Sequence, residues 1–198
     1  MKLLRQFGVL GSVLVLSSCA SIQEVQVPPE RFIQKGFSFM PLNEKGWLIG
    51  ARNPQRVVLV KRGDNPDETY AIEANAFSGQ SPASESGEGF ARLIKEVELK
   101  NTNPARFKVL KHEVSPYAEK GNNCVRSHMT AEDHGVVSRS GKTGPMILEK
   151  LTLVCVHPKD NRAGANVAYS QRYYPDQRDP KFLEKGTSVL SSVEFTDP

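Results

Sequence analysis

The chain predicts an α+β domain, a mainly antiparallel sheet packed with two amphipathic helices. Three observations predict it. Short apolar runs rich in β-branched and aromatic residues recur between turn residues. Two further segments carry helical periodicity, one in mid-chain and one near the C-terminal end. The connections between the apolar runs are short, which favours antiparallel neighbours over crossover connections. With the helices on both faces of the sheet, the same pattern makes an α/β/α sandwich, and the sequence leaves that choice open.

Residues 37–40 read as a first strand stopped by Pro41, and 47–51 as a second after a turn at 43–46. Asn53-Pro54 marks another turn. Val57, Val58, Leu59 and Val60 form a β-branched apolar run suited to a central strand. The turn signal at 63–66 precedes a strand at 69–77. Residues 78–87 are rich in serine and glycine and read as loop. Ser84 or Ser86 can cap the helix that follows, in which Phe90, Leu93, Ile94 and Val97 fall on one face. Residues 101–104 end it. Residues 106–114 read as a strand with Phe107 and Val109 on one face and Leu110 on the other. Strands at 123–133 and 146–157 flank a polar loop, and a strand at 166–174 carries Tyr169, Tyr173 and Tyr174. Asp179-Pro180 opens the last helix, with Phe182, Leu183, Val189, Leu190 and Val193 on its apolar face. Gly186 lies inside that helix and weakens it. No repeat or second domain boundary interrupts this order.

The N-terminal stretch has a different character. Lys2 and Arg5 precede an apolar segment at 7–16, too short for a spanning helix, which needs about 20 apolar residues. Leu16-Ser17-Ser18-Cys19 closes it and resembles the lipobox of bacterial lipoproteins. That resemblance implies cleavage before Cys19 and acylation of Cys19, so that several acyl chains hold the protein in a bilayer. Ala20, rather than an aspartate, follows the cysteine, which implies delivery to the outer membrane, facing the periplasm. The chain then divides into a signal peptide at 1–18, a lipidated tether at 19–31 containing Pro28 and Pro29, and one domain at 32–198. Lys2 and Arg5 leave with the signal, so the net charge of +4 falls to about +2. No basic tract studded with aromatics points to nucleic acid.

Three cysteines occur in all, and an exported chain would retain Cys124 and Cys155 as an even pair. Folding 123–133 onto 146–157 as a hairpin about Arg139 and Ser140 sets Cys124 opposite Cys155. A structural disulfide is expected there.

No motif organises a reaction. Ser138-Arg-Ser-Gly-Lys-Thr-Gly144 echoes a phosphate loop, but its glycine spacing is wrong and Gly144-Pro145 prevents the helix that such a loop needs. His128, Glu132 and His134 share a strand face by alternation but lack a metal-site spacing. Gly79-Gln80-Ser81-Pro82-Ala83 misses the nucleophile elbow because of its proline. Glu132 and Asp133 are adjacent and face opposite ways. No metal or cofactor is expected. Trp47, Arg172, Tyr173 and Tyr174 are the candidate binding residues, since exposed tyrosine and arginine suit interfaces and one of two adjacent tyrosines should face outward.

The early 37–41 and Gly46-Trp47 segments, the mid-chain helix and the terminal Leu190-Ser-Ser-Val193 helix together resemble the PsbP/DcrB-like fold group. That resemblance implies a compact domain used for binding and assembly, with no catalytic residues. The expected protein is a membrane-anchored envelope lipoprotein whose non-enzymatic domain binds a protein or envelope component. The alternative is an envelope hydrolase whose site assembles only in three dimensions.

Overall fold

A computed structural model describes residues 23–79, 87–120 and 123–197. Ten strands and two helices follow the order β1 (Phe32–Gln34), β2 (Phe37–Phe39), β3 (Leu48–Arg52), β4 (Arg56–Arg62), β5 (Thr69–Ser78), α1 (Glu88–Asn101), β6 (Phe107–Pro116), β7 (Cys124–Asp133), β8 (Met146–His157), β9 (Asp160–Tyr173), α2 (Phe182–Ser191) and β10 (Glu194–Phe195). Seven strands form one sheet in the order β3-β4-β5-β9-β8-β7-β6, and β1-β2-β10 form a small second sheet. Neighbours are antiparallel throughout, as expected of an α+β chain with short connections. Among the described residues, no helix is long and apolar enough to cross a membrane.

Alternation along the long strands builds two cores. On the inner face, Leu151, Leu153, Val167 and Tyr169 pack with Phe182, Val189 and Leu190 of α2 and with Phe37 and Phe39 of the small sheet. On the outer face, Val125, Val154 and Val156 meet Phe90 and Ala91 of α1. Helices therefore lie on both faces. Gly186 has a use in α2, because a Cβ there would stand 3.0 Å from Leu151 and Tyr169 side chains. The helix approaches the sheet most closely at the residue that weakens it.

Four boundaries depart from the sequence reading. Gly87, at φ 64°, occupies the N-cap of α1 with no side-chain cap. Ser84 and Ser86 lie outside the described residues. Strand β9 starts six residues before 166, because a tight turn after His157 lets the polar 160–165 stretch pair with β5 and β8. Pro180 precedes α2, whose N-cap is Lys181. Finally, the tether ends sooner than residue 31. Val25 is buried, its amide donates to the Trp47 carbonyl, and Ile49 donates to Gln23. Residues 23–25 thus line the free edge of β3.

The β7–β8 hairpin has the expected register, Cys124 opposite Cys155 and Asp133 opposite Met146. The two cysteines are bonded, with Cα atoms 4.1 Å apart. That is close to the ~4.5 Å separation of directly opposed, non-hydrogen-bonded antiparallel residues.

A charged cluster fastens the start of α2 to the inner face. Glu149 of β8, its side chain 3 % exposed, accepts two hydrogen bonds from Arg178 at 2.7 and 2.8 Å. Tyr173 donates to it at 3.0 Å and His128 Nε2 lies 2.8 Å away. Burial pushes the Glu149 carboxyl up. The hydrogen bonds from Arg178, His128 and Tyr173 and the Arg178 charge outweigh that and hold it at about 2.

Candidate functional site

Three of the four residues expected to bind a partner are interior. Trp47 is 0 % exposed, packed between the two sheets. Tyr173 and Tyr174 are both buried. Strict alternation would turn one of them outward, but β9 ends at Tyr173, so the rule stops applying there. Tyr174 instead lies under the 134–145 loop, donating to the Lys142 carbonyl at 3.0 Å. None of the three rings is presented at the surface. Arg172 alone faces a surface that a ligand can reach.

That surface is the uncovered half of the outer face. Helix α1 covers one end of the sheet, and beyond its last turn the strands are bare of any described segment. A cleft of about 700 Å³ opens there. Its floor is one row of paired residues running across six strands: Leu48, Val60, Ala71, Ser170, Lys150 and Met129. At ~4.8 Å per strand the row spans about 24 Å. The next row carries Arg62, Thr69, Arg172 and Leu148. Arg139 reaches in from the β7–β8 loop, and Asn101 and Thr102 close the end nearest α1.

The floor is apolar and the charges on it are mostly positive. Lys150, Arg62 and the Arg139 side chain have no ion-pair or hydrogen-bond partner among the described residues. Arg172 Nε lies 2.9 Å from Asp133, out of line for a hydrogen bond. Asp133, whose side chain is fully buried, is shared with Arg106 at 2.8 and 2.9 Å. Burial pushes the Asp133 carboxyl up, but the Arg106 hydrogen bond, the Gly135 amide and the two guanidinium charges hold it below the usual range. Glu73 is the acidic side chain of the cleft, and its nearest cation is Arg56 at 3.9 Å. An apolar floor set with a few fixed polar groups is the usual make-up of a small-molecule site of this size.

The loop that positions Arg139 is held by an acid. Asp67 accepts from the Arg139 amide and the Ser140 hydroxyl, and from the Ser140 amide at 3.3 Å. The amides of the phosphate-loop echo are therefore occupied by a carboxylate of the same chain. The Ser140 hydroxyl and the two amides hold Asp67 below its ordinary value.

A serine, a histidine and a glutamate also converge, from β7, β6 and α1. Glu98 Oε2 lies 2.8 Å from His112 Nε2 and 2.5 Å from Ser127 Oγ, and Ser127 Oγ is 3.2 Å from the same nitrogen. A hydrolytic triad needs the acid on one ring nitrogen and the serine on the other. Here both partners share Nε2, and Nδ1 is buried without a partner. Ser127 is 1 % exposed, and none of the three lines the cleft. The trio fastens α1 to the sheet.

The other histidines are engaged separately. His128 meets Glu149, whereas His134 lies 3.1 Å from Glu132, which also pairs with Lys108. No group of three or more potential metal ligands forms among the described residues. Cys19 and the Gly79–Ala83 near miss beyond Gly79 lie outside them. Sequence reasoning missed Lys150 and Arg62, because register alone assembles the cleft. The available signal was Glu149-Lys150 inside an apolar run, which puts one charge on each face of a strand.

No family model matches the chain, and no curated protein matches it.

Proposed function

We propose that the chain is a lipid-anchored bacterial envelope protein whose domain binds an envelope component, without catalysis, at the outer-face cleft. The observation that carries this reading is the cleft itself, an open apolar floor bearing unpaired cations and no organised nucleophile. The lipobox sequence at 16–19 supports the anchor at Cys19, and Ala20 supports an outer-membrane address facing the periplasm. The PsbP/DcrB-like order of elements supports a binding role.

Crosslinking in living cells with a short lysine-reactive reagent, followed by capture and mass spectrometry, tests the reading. A dominant adduct that Cys19→Ser abolishes is the expected result, and an adduct pattern indifferent to Cys19→Ser speaks against it. Cys19→Ser should also move the protein out of the washed membrane fraction. Continued sedimentation with membranes would remove the main support for the anchor.

The Ser127–His112–Glu98 trio is the one observation that favours a hydrolase. A fluorophosphonate probe should leave Ser127 unlabelled in the folded protein, since the hydroxyl is sealed and lacks a base of its own. Stoichiometric labelling at Ser127, lost in Ser127→Ala, would reinstate the enzyme reading.

A further inference from the structure

Resting on the anchored-binder reading, we propose that the cleft takes the headgroup and upper acyl chain of an anionic phospholipid from the membrane that holds Cys19. Charge complementarity is the first support. Lys150, Arg62 and Arg139 lack partners among the described residues, and Arg172 adds a fourth cation whose own acid is shared with Arg106. A phosphate over Lys150 and Ser170 would lie one row from Arg172, in the cleft that Arg62 and Arg139 also line. Each such cation near an anionic lipid surface strengthens the attraction roughly fivefold.

The floor gives the second support. Leu48, Val60 and Ala71 form an uncharged strip from Ser170 to the β3 edge of the sheet. Val60 is 38 % exposed there. A purely ionic ligand such as free phosphate would gain nothing from this strip. An amphiphile would cover it while its phosphate meets the cations.

Chain length gives the third. Glu24 bridges to Leu48, an end residue of the floor row, and Gln23 accepts from Ile49. From Cys19 to Gln23 the chain reaches at most about 14 Å, at ~3.3–3.6 Å per residue. The lipid-facing end of the tether thus enters the domain beside the cleft wall. The β3 edge of the cleft is thereby kept within about 14 Å of Cys19. The amphiphile that such a short reach sets beside this wall is the lipid of the membrane that holds Cys19.

The test uses the full-length lipidated protein in cells, with a photoactivatable residue at Val60 and, in a parallel protein, at Ile33. Ile33 is 69 % exposed, lies outside the cleft and reports the bulk lipid background. Anionic phospholipid adducts at Val60 should exceed their share at Ile33 at least about tenfold. Lys150→Glu should reduce that excess at least about tenfold while the Cys124–Cys155 bond still forms. Equal lipid composition at the two sites overturns the proposal, as does an excess unaffected by Lys150→Glu. A protein adduct at Val60 overturns the lipid assignment and leaves the binding reading standing. No adduct of any kind at Val60 overturns both.

Discussion

Replacing Cys124 and Cys155 together with alanine should lower the unfolding free energy by about 3–4 kcal/mol. The bond closes a loop across a sequence separation of 31 residues, and the chain-entropy model assigns a loop of that size a stabilisation of this order. Both sulfurs lie in the inner core between the sheet and its cover, with Cys155 0 % exposed. Truncating these buried side chains also leaves a small cavity, so a packing loss adds to the effect of freeing the unfolded chain. Urea titrations with and without reductant check this. The wild type under reductant should show a lowered midpoint, and the double variant one at least as low, with or without reductant. An unchanged midpoint in the double variant would falsify the structural role of the bond.

Glu149→Ala should cost about 3 kcal/mol. Removing one member of a buried charged cluster strands the others. Arg178 is partly exposed and can turn to water, but the Tyr173 hydroxyl and the His128 ring stay at the α2 junction. The same carboxylate sets an acid limit. Its folded value of about 2 lies below its ordinary 4.5, so its stabilisation is fully present above pH ~4.5 and is lost as pH falls toward 2. The whole step amounts to about 3 kcal/mol. Asp133, Asp179 and Glu44 are also held below their ordinary values, so they deepen the loss in the same direction. Unfolding measured from pH 7 down to pH 2.5 should show a steep decline below pH 4.5. In Glu149→Gln that decline should be shallower. An equal slope in the two proteins would assign the acid step elsewhere.

The hairpin was legible because its register follows from one centre. Once Cys124 is set against Cys155, every pair down to Asp133 and Met146 is fixed, and alternation assigns the faces. The mid-chain and terminal helices were legible from their apolar periodicity. Strands β1 and β10 were not, since three and two residues carry no period that a sequence can display. The first strand's residues are the opening residues of the expected domain, and only pairing with β2 makes them a strand. The burial of the expected binding residues was hidden for a different reason. Tyr173 and Tyr174 sit at the end of a strand, and a covering loop decides the burial of the second. Lys150, Arg62, Arg139 and Arg172 come from three strands and a loop far apart in the chain. Their meeting depends on the strand order β4-β5-β9-β8, which composition does not specify.

The small sheet has a consequence for how the protein is made. Its middle strand, β2, pairs with β1 on one side and with β10 on the other. Arg31, just ahead of β1, clasps Glu194 at 2.8 Å and the Ser192 carbonyl at 2.6 Å. Phe37 and Ser38 thus wait through more than 150 residues of synthesis for their second neighbour. A chain delivered from its N-terminal end, whether from a ribosome or across a membrane, cannot finish the first-made sheet until Phe195 has emerged. Chains truncated before β10 should remain sensitive to proteases around β2, and chains that include residues 194–195 should be protected there.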